Sequence, residues 1–148
     1  MKKKSLLISI IVIVAIALGG AGYYFIVTKA AKPVVWDGSY KMTGDLACKG
    51  NFPNLTTIPM NTTITVSSNK IIDEATNKSF DIDKKGKATE IIQQTSNGVS
   101  ADIRADYQFY QEKGVDKFTA NGTVNMSATQ NNTKYSSTCS GPVTGVKQ

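Results

Sequence analysis

The chain has 148 residues, 17 Lys+Arg against 11 Asp+Glu, two Cys and no His, for a formal charge of +6. That length fits one domain of ordinary size with an appendage. The lack of His excludes a His-based hydrolase triad, a Cys2His2 zinc finger and a His-ligated haem.

The first element is apolar. Lys2, Lys3 and Lys4 precede a run from Leu6 to Val27 that carries no charge, and Lys29 and Lys32 follow it. These five bases face no acid, so the remaining chain is close to neutral, with 12 bases against all 11 acids. A nucleic-acid module concentrates its bases on the folded part among aromatics. Here they flank an apolar run instead, which argues against nucleic acid as a partner and for a lipid bilayer. A helix of 22 residues spans about 33 Å, enough to cross a hydrocarbon core of roughly 30 Å. Tyr23 and Tyr24 fall near its far end, where aromatic rings occupy the water–lipid boundary. The expected organisation is a cytoplasmic basic N-terminus over 1–5, a transmembrane anchor over 6–27, a linker over 28–35 and an extracytoplasmic domain over 36–148. The alternative is a secreted protein, with Leu6–Leu18 as the apolar part of a signal peptide and Ala17-Leu18-Gly19 as its cleavage site.

Beyond Pro33 the period changes to two. Trp36, Gly38, Tyr40, Met42, Gly44, Leu46 and Cys48 share one parity, and Ile58, Met60, Ile64 and Val66 share the next. Shorter runs follow at Ile71–Ala75, Ser79–Asp83 and Ala88–Thr95. The alternation is longest from Val99 to Tyr110 and from Lys117 to Thr129, and Lys134–Val146 completes about eight strands. Asn97-Gly98 is a two-residue hairpin signal, Lys84-Lys85-Gly86 and Glu112-Lys113-Gly114 place glycine as a bulged hairpin requires, and Ser68-Asn69 and Asn131-Asn132 supply further breaks. The class is all-β: antiparallel strands in an up-and-down meander closing into a barrel, with a β-sandwich as the alternative. Cys48 ends the first strand and Cys139 lies within the last, both on inward parity. A disulfide between them would tie the first strand to the last, and the extracytoplasmic location favours it.

Trp36-Asp37-Gly38-Ser39-Tyr40, the Cys closing strand one, Asn69-Lys70-Ile71 and Cys139-Ser140-Gly141 together resemble small extracytoplasmic, lipocalin-like β-domains of bacterial surface proteins. The resemblance covers about residues 36–146. Lipocalins themselves carry Gly-x-Trp at the first strand, where this chain has Trp36-x-Gly38.

Asp81-Ile82-Asp83-Lys84-Lys85-Gly86 imitates the start of a calcium loop, but Lys85 and Ile92 stand where oxygen ligands belong, so a solvated hairpin explains it better. Asp102, Arg104 and Asp106 share one face of a strand and read as a charged outer surface. Trp36, Tyr40, Tyr107 and Phe109 fall on inward positions, as core or as the wall of an apolar ligand cavity. No cofactor, metal site or nucleophile–base pair emerges. The functional expectation is a non-catalytic binding or surface-interaction module of the cell envelope, with an envelope protein, a glycan or a small apolar molecule as partner. A lipocalin-like carrier is the runner-up, and a hydrolase using Asp102 and Asp106 stands behind both.

Overall fold

Alternation of apolar and polar side chains builds every strand between residues 34 and 148, the span described by this computed structural model. The expected anchor, its flanks Lys2, Lys3, Lys4, Tyr23 and Tyr24, and the linker up to Pro33 lie outside the described residues. The strands are β1 (Gly38–Gly50), β2 (Thr57–Ser67), β3 (Lys70–Asp73), β4 (Lys78–Asp81), β5 (Lys87–Ser96), β6 (Val99–Glu112), β7 (Val115–Gln130) and β8 (Thr133–Lys147). They form one antiparallel sheet in the order β4-β3-β2-β1-β8-β7-β6-β5, curled into a nearly closed barrel. The antiparallel meander is as expected and the barrel is nearly but not fully closed, while no second sheet exists among the described residues to make a sandwich.

Four connections are two-residue turns in which both residues have positive φ: Ser68-Asn69, Asn97-Gly98, Lys113-Gly114 and Asn131-Asn132. That geometry matches the right-handed twist of flanking strands and selects Asn and Gly. At Lys113-Gly114 it replaces the expected bulge. Beneath the entry of β1, Asp37 takes the backbone N–H groups of Ser68 and Asn69 at 2.9 and 2.8 Å, and Asn69 Oδ1 accepts from Trp36 N at 2.9 Å. The residues before β1 thus clamp the β2–β3 turn.

Two expectations are corrected. The run Ile71–Ala75 stops at Asp73, whose carboxylate accepts from Ala75 N and the Thr76 hydroxyl and bends the chain out of the strand. At Lys84-Lys85-Gly86 the chain does turn, with Asp83 N donating to Lys87 O at 2.8 Å, but β4 and β5 then part without forming a ladder. Apart from half-buried Phe80, β4 offers the barrel only exposed side chains, so little apolar burial draws it against β5. The seam therefore falls there, and β1 pairs directly with β8.

Cys48 and Cys139 face each other in the β1–β8 ladder and are bonded. Their inward parity holds: Cys139 is buried and Cys48 half-buried against the core. At the other end of β8, Gly145 sits opposite Phe118 of β7, where any Cβ would collide with the ring.

Candidate functional site

The inward positions of β1, β6 and β7 bring Tyr40, Tyr107, Phe109 and Phe118 together inside the barrel, and Trp36 covers them at the end where β1 begins. Ring centroids lie 5.4 Å apart for Tyr40–Phe109, 5.3 Å for Tyr107–Phe118, 5.3 Å for Phe109–Phe118 and 5.7 Å for Trp36–Phe109. These are packed aromatic distances. All four inward residues named from the sequence are thus in one cluster with Phe118 as a fifth, and Phe109 at its centre meets the other four rings. Tyr40 places its hydroxyl on a buried acceptor, donating to Trp36 O at 2.6 Å.

The interior also holds carboxyl groups that the sequence reading passed over. Glu90 of β5 and Asp73 of β3 are each 1% exposed. Tyr107 donates its hydroxyl proton to Glu90 Oε2 at 2.6 Å. Burial pushes the Glu90 carboxyl up to about 8, against the pull of the Tyr107 hydrogen bond and with the charge of Asp73 adding to the rise. Burial, with Glu90 beside it, likewise holds the Tyr107 hydroxyl well above its ordinary range. A third inward acid, Asp116, accepts from Lys147 Nζ at 2.8 Å and Gln111 Nε2 at 2.7 Å. The signal was present: Ala88, Glu90 and Ile92 share one parity, as do Ile71 and Asp73, so each acid interrupts an apolar row.

The outer face has a different character. Asp102, Arg104 and Asp106 lie there, and Arg104 binds Asp106 through two nitrogens at 2.9 and 3.1 Å. Thr89 Oγ1 donates to the same carboxylate at 2.7 Å, and these bonds, that from Arg104 foremost, hold Asp106 below the usual carboxylate range. The Asp106 side chain also lines a groove of about 400 Å³ that crosses β5 to β8, together with Lys87, Gln108, Thr119, Asn121, Pro142 and Thr144. Between Thr119 and Thr129 on β7, and between Ser136 and Val146 on β8, no outward side chain is charged.

The suspected calcium loop is a turn, in which Asp83 Oδ1 accepts from Lys85 N and Lys87 N, both at 2.8 Å. No group of three or more metal-ligating side chains occurs among the described residues.

Fold and site together define a small, nearly closed antiparallel barrel with a cross-strand disulfide, an aromatic interior and a polar, hydroxyl-rich outer face. The chain matches no protein-family model, no curated protein and no solved structure.

Proposed function

We propose that the chain is a membrane-anchored, extracytoplasmic barrel that acts as a non-catalytic binding module of the cell envelope. The observation that carries this reading is the contrast between an interior occupied by rings and an open groove on the outer face. Binding then falls to the outer surface. The amide and hydroxyl groups of Gln108, Thr119, Asn121 and Thr144 suit the hydroxyl groups of an envelope glycan, with Pro142 as an apolar contact and Lys87 as a further donor. Asp106 in the same groove is already engaged by Arg104 and Thr89. The Cys48–Cys139 bond supports an oxidising compartment. The start of β1 and the end of β8 share one end of the barrel, and the disulfide lies toward the other.

The test is co-sedimentation of the full chain in detergent with insoluble neutral cell-wall polysaccharide. Retention that falls at least tenfold in Asn121→Ala/Thr144→Ala supports the reading. Equal retention of both chains removes the groove from it. Native mass spectrometry of the same protein adds a second criterion: an apolar adduct of a few hundred daltons would favour the lipocalin-like carrier.

A further inference from the structure

The two strands at the seam are defended unequally against new neighbours. β4 is four residues long and carries Lys78 and Asp81, and short, charged edges are how sheets refuse an added strand. β5 is ten residues long, and from Ile91 to Ser96 it carries no charge. Hydrogen-bond phase tells which groups face that edge. Phe109 N donates to Gly86 O at 2.7 Å, one step beyond the β5–β6 ladder and in its register. Even-numbered residues of β5 therefore exchange bonds with β6. Lys87 O, on the other phase, accepts from Asp83 N on the seam side. The N–H and C=O groups of Ile91, Gln93 and Thr95 accordingly point away from β6, and no backbone partner meets them among the described residues. Their side chains are exposed on the outer face, and Ile91, at 55%, is the most exposed of the large hydrophobic residues described.

We propose that this edge pairs antiparallel with the same edge of a second copy of the chain, about a two-fold axis through Gln93. Gln93 then lies opposite its counterpart and Ile91 opposite Thr95 of the second copy, in pairs that exchange about six hydrogen bonds. No like charges meet across the contact, and each Ile91 gains a β-branched cross-strand neighbour. Other centres are poorer. An axis through Ile91 would engage Thr89, next to the Asp83–Lys87 crossing, and one through Thr95 would engage Asn97, whose φ of 51° takes it out of the strand. A lone strand pair covers much less than the roughly 1,200 Å² of a stable complex, so the dimer is concentration-dependent. The proposal stands apart from the glycan reading, since self-association and polysaccharide retention are measured separately.

The test is oxidative cross-linking of the full chain in detergent micelles carrying Gln93→Cys, read on non-reducing gels. Opposed residues in a hydrogen-bonded pair have Cα atoms about 5.5 Å apart, within disulfide range. Ser127→Cys, exposed on the same outer face but on β7, is the control for random collision and for anchors sharing a micelle. Dimer formation at least tenfold faster for Gln93→Cys is the expected result. Equal rates, or no cross-link at Gln93, would overturn the proposal.

Discussion

Glu90 is an acid that the fold keeps neutral. Its carboxyl ionises near 4.5 in an unfolded chain and near 8 in the barrel, so between those values the folded state holds a proton the unfolded state has released. Stability therefore declines as pH rises from about 4.5 to about 8 and takes no further loss from this group above that. Glu90→Gln keeps an acceptor for the Tyr107 hydroxyl and removes the titration. The variant is expected to match the parent near pH 4 and to exceed it by a few kcal/mol at pH 9, measured by urea unfolding across that range. Subtracting one pH curve from the other isolates Glu90 from the exposed acids, Asp83 and Asp106, whose carboxyls lie below their ordinary range. Parallel curves would show that Glu90 is ionised in the folded chain.

At the scale of strands, the β1–β8 ladder is the join on which the barrel depends. Its disulfide links residues 91 apart in sequence, and closing a loop of that size in the unfolded chain is worth roughly 4–5 kcal/mol. Cys48→Ser/Cys139→Ser is expected to lower unfolding free energy by about that much in guanidinium titration while far-UV circular dichroism still reports strand. Most strands were legible in the sequence because period two over ten or more residues has no competing interpretation, as in Val99–Tyr110. β3 and β4 were legible only as runs. Their ends depend on Asp73 capturing Ala75 N and the Thr76 hydroxyl, a local choice that periodicity does not encode. The seam was not legible. The turn at Lys84-Lys85-Gly86 resembles a hairpin, and whether it zips depends on what β4 has to bury. The aromatic cluster followed from parity, whereas the groove did not, since it needs outward side chains from four strands placed side by side.

For the whole molecule, the order β4-β3-β2-β1-β8-β7-β6-β5 means that the first and last strands lie side by side in the middle of the sheet. Gln148 N donates to Ser39 O at 2.9 Å. A short linker from Gln148 to Trp36, with a new opening between Lys84 and Lys85, would give a chain whose sequential order equals its spatial order from β5 to β4. Every ladder would survive, and the new ends would lie at the gap the barrel already has. Such a circular permutant is expected to fold with the same Cys48–Cys139 bond, checked by peptide mapping without reductant. In it, however, the bond would enclose only about 25 residues, and its contribution would fall by about 1 kcal/mol on loop-closure grounds. The strength of this cross-link is thus set by strand order: pairing the first strand with the last made almost the whole barrel the loop that the two sulfurs close.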